Sequence, residues 1–330
     1  MSNPHAIGID LGGTNVRCAV VDAKGQILHR VEQPTEADRG PNRVIAAIAD
    51  QVAETIAAAG LNRTDVVGIG LGAPGPLSQR HGLIYNSVHL PGWNNVQIRA
   101  ELARRTGLDT LLENDANAAA FGEYWAGAGA GGEGDLVMFT LGTGVGGGVI
   151  VAGRPLHGHY ENAGELGHLV VEVNGHPCEC GQRGCLEQYA SATNLVRRAR
   201  EAMQAGRESA LKSTGSTLAE LTCERIVEAV RDGDPLATEI WDEACRYLAV
   251  ACVLIQHAFN PARVVFGGGM SQAGPLLIDR IVGHFNDMRW HLMDDFPRIT
   301  LSALGTDAGV VGAAALVLRP APGELAISNC

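Results

Sequence analysis

Two stretches of this chain spell one pattern. "HAIGIDLGGTNVRCAVVDAKG" at residues 5–25 and "DLVMFTLGTGVGGGVIVAG" at 135–153 both run apolar strand, glycine turn, apolar strand, glycine turn. The connections are too short for crossovers, so each reads as an antiparallel meander. Helices and single buried strands then alternate. In the first half, helical patterning at 43–59 precedes a strand "DVVGIGLG", a helix "VQIRAELARRTG" stopped by Gly107, a strand "TLLEND" and an alanine-rich helix "ANAAAFGEYWAGAG". In the second half, helices through 188–260 precede a strand "RVVF", a "GGGM" turn, a helix, a strand "ITLSAL" and a last helix after "GTDAGVVGAAA". The weak repeat predicts a duplicated α/β fold of two domains closing over a cleft, with the glycine turns facing each other. The glycine-rich stretch at 127–134 is the expected hinge. Domain boundaries are expected at 1–126 and 127–330, with the final helix able to pack back on the N-terminal domain.

Composition excludes several classes. The net charge is −11, and "RRAR" at 197–200 is the one notable basic run, so no nucleic-acid partner is expected. The sequence has no charged n-region before a long apolar stretch and no run of about eighteen apolar residues, which predicts a cytoplasmic chain without a membrane partner. Five of eight cysteines are isolated, unlike a disulfide framework.

The 43 glycines gather in short runs after apolar stretches, as in loops that bind phosphate through backbone N–H groups. "IGIDLGGTN" puts Asp10 at a strand end, where an acid can hold Mg²⁺; the bland alternative is a tight hairpin with a solvated acid. "TLGTGVGGG" repeats the device with Thr143 and Gly144. Two near-matches to a dinucleotide fingerprint fail on context. "GLGAPG" at 70–75 is followed by Pro76 and no helix, and "TLGTGVGGG" is followed by a strand, so a dehydrogenase loses its support. "ENDAN" places Glu113, Asn114, Asp115 and Asn117 at a strand-to-helix junction. Asp115 reads either as an ordinary helix cap or as a proton acceptor for a sugar hydroxyl held beside Asn114.

"GELGHLVVEVNGHPCECGQRGCLEQY" at 164–189 crowds His168, His176, Cys178, Cys180 and Cys185 together. One nitrogen and three sulfurs make the ligand set of a closed tetrahedral zinc site, and on spacing alone either histidine could supply the nitrogen. A redox pair would more often be Cys-x-x-Cys at a helix start.

In order along the chain, "IGIDLGGTN", "GAPGP", "ENDANAAAFGE", "TLGTGVGGG", "ENAGELGH", "CECGQRGCLE", "VVFGGGMS" and "LGTDAGVVGAA" resemble the ROK family of sugar kinases and repressors, most closely its glucokinases. The match runs from about residue 5 to 318. It implies the actin-like, hexokinase-type ATPase fold and a phosphotransferase with an alcohol acceptor: ATP-dependent phosphorylation of glucose at its 6-hydroxyl. Another hexose or an N-acetylhexosamine (fructose, N-acetylglucosamine, N-acetylmannosamine) is the alternative substrate. A repressor of the family would need a helix-turn-helix before the first strand, which starts at about residue 6.

Carried over residue by residue, the resemblance makes Asp115 the catalytic base. Gly75, Asn114, Asp115, Glu165, His168 and Glu187 become sugar ligands. Asp10, Gly12, Gly13 and Thr14 become the first phosphate motif, Thr143 and Gly144 the second, and Gly267, Gly268 and Gly269 the nucleotide-side turn. It favours His168 with Cys178, Cys180 and Cys185 as ligands of a structural Zn²⁺ that pins the sugar site, alongside ATP and Mg²⁺ as cofactors. A homo-oligomer, dimer or tetramer, is expected. Asn15 departs from the Lys or Thr of many relatives, and the tail from Pro320, with Cys330, has no counterpart.

Overall fold

The computed structural model describes residues 4–87, 90–132, 134–212, 220–292 and 294–319. The tail from Pro320, with Cys330, lies outside them. The first half runs β1 (His5–Leu11), β2 (Asn15–Asp22), β3 (Ile27–Pro34), α1 (Pro41–Ala58), β4 (Val66–Ala73), β5 (Leu77–Ser78), β6 (Leu83–Asn86), β7 (Asn94–Val96), α2 (Ile98–Thr106), β8 (Thr110–Asn114) and α3 (Asp115–Ala126). The second runs β9 (Leu136–Leu141), β10 (Val145–Val151), β11 (Arg154–Pro155), α4 (Glu187–Ala190), α5 (Ala192–Gln204), α6 (Cys223–Arg231), α7 (Pro235–Phe259), β12 (Arg263–Gly267), α8 (Pro275–Met288), β13 (Arg298–Leu301) and α9 (Ala308–Leu318).

The repeat is realised as topology. One sheet is ordered β3-β2-β1-β4-β8 and the other β11-β10-β9-β12-β13, position for position the same arrangement. In the first, β1 pairs antiparallel with β2 and parallel with β4, and β4 pairs parallel with β8. In the second, β12 pairs parallel with both β9 and β13. Parallel strands buried on both faces require apolar runs, which is why "IGI", "GIGL" and "RVVF" carry no polar alternation. Open sheets of this kind bind ligands beyond the carboxyl ends of their parallel strands. A small sheet ordered β5-β6-β7, absent from the sequence expectations, lies between β4 and α2 in the chain.

The chain divides into two compact units. One takes the described residues of 1–133, 148–164 and 303–330, and the other those of 134–147 and 165–302. Within the first, α9 packs against α3, β1 and β4. Its small residues permit unusually close approach: a Cβ on Gly8 would meet the Val310 carbonyl, one on Gly70 the Ala313 carbonyl, and one on Gly312 the Ala118 carbonyl. Glu123, fully buried on α3, accepts N–H groups from Ala128 (2.7 Å), Ala303 (3.1 Å) and Leu304 (2.8 Å). Among the described residues no helix is long and apolar enough to cross a membrane.

Candidate active site and metal centre

In the first unit, Asp10 lies one residue before the end of β1 and Asn114 ends β8, with Gly75 just beyond β4. Burial, and next the Asp115 carboxylate, push the Asp10 carboxyl up to about 6, while Arg17, 3.6 Å away, pulls it back down. A half-buried carboxylate facing a second acid is a site that gains from a bound cation. The turn from Asp10 to Asn15 is closed by Gly12 N–H to the Asn15 carbonyl (2.9 Å). Thr35 braces it from the end of β3, donating its hydroxyl to the Gly12 carbonyl (2.7 Å) and its N–H to the Thr14 carbonyl (2.8 Å). Asn15, at the departing position, donates its amide to Glu32 (2.9 Å).

Asn114, and not Asp115, caps α3. Its Oδ1 accepts the N–H groups of Ala116 (3.0 Å) and Asn117 (3.1 Å), leaving its amide nitrogen toward Gly75. Asp115 is thereby the first helical residue, and its Oδ1 accepts the Ala116 N–H at 2.8 Å.

Beneath this pair sits Glu113, 2 % exposed, whose carboxylate gathers four donors. Oε1 accepts from the Asn114 N–H (2.8 Å), Gln79 (2.9 Å) and Asn117 (3.1 Å), and Oε2 meets His157 Nε2 at 2.6 Å. Neither Glu113 nor His157 had been assigned a role. A buried acid directly before the capping residue was the available signal; His157, 44 residues away, offered none.

In the second unit, Gly142, Thr143 and Gly144 form the turn between β9 and β10, with Thr143 exposed. Gly268, after β12, lies so close to this turn that a Cβ on it would meet the Leu141 backbone. The structure therefore sets Gly268 against the end of β9, from which the Thr143–Gly144 turn departs. A cavity of about 580 Å³ opens beside Thr143, lined by Thr193, Val196, Arg197, Glu201 and Leu221 among others. Glu187, at the start of α4, turns its Oε2 to the Val145 N–H at 2.9 Å. Glu165 is exposed at the entrance of a 3-10 turn, Leu166–His168, and its carbonyl accepts the His168 N–H (3.1 Å).

The Cys/His segment folds as a short hairpin. Gly181 N–H bonds the Cys178 carbonyl (3.0 Å) and Cys178 N–H the Gln182 carbonyl (2.9 Å), while bridges join Pro177 to Arg183 and Val170 to Cys185. Gly184 takes φ +76°, a left-handed conformation that returns the chain beside Val170. The ligand atoms of His168, Cys178, Cys180 and Cys185 consequently lie within 4.8 Å of one another. Cys180 and Cys185 sulfurs are 3.6 Å apart, and Cys178 Sγ is 3.8 Å from His168 Nδ1. Tetrahedral zinc with bonds of about 2.3 Å separates its sulfurs by about 3.8 Å, so the donor set and spacing both fit. Burial pushes the Cys185 thiol up to about 12, and its two neighbouring thiols push the same way. Three thiolates here require a cation. His176, left open by spacing, packs against the Tyr189 ring instead. All seven described cysteines are free thiols.

The ROK family model matches residues 6–320. A glucokinase of Halalkalibacterium halodurans is 37% identical over 96% of each chain, and a glucokinase of Thermotoga maritima is 38% identical over 94% of this chain and 96% of its own. The crystal structure of a ROK family glucokinase from Streptomyces griseus in complex with glucose and AMPPNP superimposes with a TM-score of 0.80. It is 34% identical, with 94% of this chain and 98% of that one covered. Its likeness extends to the two-domain actin-like ATPase fold of such hexokinases. This chain belongs to the ROK family.

Proposed function

We propose that the protein transfers the γ-phosphoryl group of ATP to the 6-hydroxyl of glucose, with Asp115 accepting the proton. The observation that carries this reading is the placement of Asp115 at the N-terminus of α3, beyond the carboxyl end of β8 and within electrostatic reach of Asp10. The names of the relatives supply the substrates. A sugar hydroxyl is too weak an acid to ionise first, so the O6–H proton passes to Asp115 as the O6–P bond forms and the bond from phosphorus to the β-phosphate oxygen breaks, releasing ADP.

The chain's own residues position the reactants. Asn114 caps the helix and offers its amide to the sugar, while Glu113 fixes the peptide joining Asn114 to its own strand. Glu165, His168 and Glu187 supply the remaining sugar contacts. Turn amides at Gly12, Gly13, Thr14, Thr143 and Gly144 meet the phosphates, where preorganised N–H groups stabilise developing charge. The cavity beside Thr143 takes the adenosine end. Asp10 would hold Mg²⁺, which would supply charge neutralisation for the donor phosphates.

His168, Cys178, Cys180 and Cys185 would hold zinc with four protein ligands, a donor set that would make its part structural. With Nδ1 turned to the cysteines, His168 would keep its Nε2 N–H for a sugar hydroxyl. The reading is tested by a coupled assay with ATP and Mg²⁺ over glucose, mannose, fructose and the N-acetylhexosamines. Glucose is expected to give the highest kcat/KM. An N-acetyl sugar ahead by about tenfold, which is about 1.4 kcal/mol, would replace glucose as the acceptor.

A further inference from the structure

Glu187 is a sugar ligand by resemblance, yet its carboxylate is engaged elsewhere. Oε2 accepts the Val145 N–H at 2.9 Å, at the exit of the Gly142-Thr143-Gly144 turn. A Cβ on Gly144 would collide with that same oxygen. Five residues further on, Ala192 donates its N–H to the Gly142 carbonyl (2.9 Å), at the entrance of the turn. Between these two ties the turn makes one internal bond, Gly142 N–H to the Gly144 carbonyl (3.0 Å). The segment 187–192 therefore grips both ends of a loop that is otherwise two glycines and a threonine.

Such a loop loses much conformational entropy when it closes around an anion, unless it is held in shape beforehand. A carboxylate beside a phosphate site is also repulsive, so its presence there calls for a compensating task. We infer that Glu187 is a positioning residue for the phosphate donor: its carboxylate holds the second glycine turn in phosphate-binding shape, independently of any sugar. One side chain then serves donor and acceptor alike. This rests on the phosphotransfer reading above for the identity of the donor.

The test is calorimetric titration of Mg-AMPPNP into the full chain without sugar, for wild type, Glu187→Ala and Glu187→Gln. Removing one hydrogen bond to a charged group is worth about tenfold in affinity. Glu187→Ala is expected to weaken nucleotide binding by about that factor. Glu187→Gln, which keeps an oxygen for the Val145 N–H and loses the charge, is expected to bind within about twofold of wild type or more tightly. A residue that only touches sugar moves neither value, so an alanine variant within about twofold of wild type overturns the inference. A glutamine variant as weak as alanine overturns it too. Zinc content and thermal melts accompany each titration. Should the alanine variant fail to fold, Gly144→Ala, which pushes a methyl against the carboxylate, carries the test, with unchanged nucleotide affinity the refuting result. Failure of wild type to phosphorylate glucose would sink the substrate assignment while leaving these titrations readable.

Discussion

The two glycine turns descend from the same strand arrangement and are built differently. β1 carries its own acid, Asp10, at the position where β9 has Thr140. The first turn is braced by Thr35 from the next strand of its own meander. The second is braced by Glu187, 42 residues beyond Val145 and two beyond Cys185 of the Cys/His cluster. The same hairpin thus has a carboxylate beside it twice, once within the strand and once from a segment that follows the Cys/His cluster. The difference teaches that equal topology does not imply equal division of labour.

That contrast can be broken at several points. The largest effect is expected at Asp115→Asn, which keeps the shape and removes the proton acceptor. Turnover should fall by ~10² to 10⁴ with glucose affinity by calorimetry little changed, and a variant with near-normal kcat would return Asp115 to a helix-terminal role. Next come the matched positions. Asp10→Asn should lower kcat on the order of 10² or more, whereas Thr140→Ala should stay within about threefold; equal losses in steady-state assays would erase the asymmetry between the turns.

Cys180→Ser should empty the metal site by elemental analysis and lower the melting temperature. It should also weaken both glucose and sugar-free nucleotide binding by about tenfold, because the loop that positions His168 also delivers Glu187. Nucleotide binding spared while glucose binding falls would confine the metal's influence to the sugar side. The smallest effect belongs to Thr35→Val. Loss of one neutral hydrogen bond to the Gly12 carbonyl should cost about 1 kcal/mol in chemical denaturation and raise the KM for ATP a few-fold.

Much of this was legible because it is written locally. Glycine after an apolar run marks a strand-to-turn junction wherever it occurs, so both meanders and the strands β4, β8 and β12 follow from pattern alone. The Cys-x-Cys-Gly-x-x-Gly-Cys run announces its chemistry in ligand type. The strands β5, β6 and β7, of two to four residues, are too short to show a period. The cap of α3 was one residue from where the bland alternative placed it, since Asn and Asp cap helices about equally well and only the hydrogen bonds decide. His157 beneath Glu113, and Glu187 beside Val145, join residues 42 to 44 positions apart. No periodicity encodes such pairings.

The placement of α9 has a consequence for synthesis. The helix fills the space between β1, β4 and α3 with backbone-to-backbone contact at Gly8, Gly70 and Gly312. A ribosome delivers domains in order, N-terminal first, at about 5–20 residues per second. Here the unit begun first cannot close its core until residues 308–318 have emerged, whereas the unit at 134–147 and 165–302 is complete before them. The nascent chain therefore carries the Asp10 sheet with one face uncovered for most of its translation, and the glycines that admit α9 so closely are what make that last insertion possible.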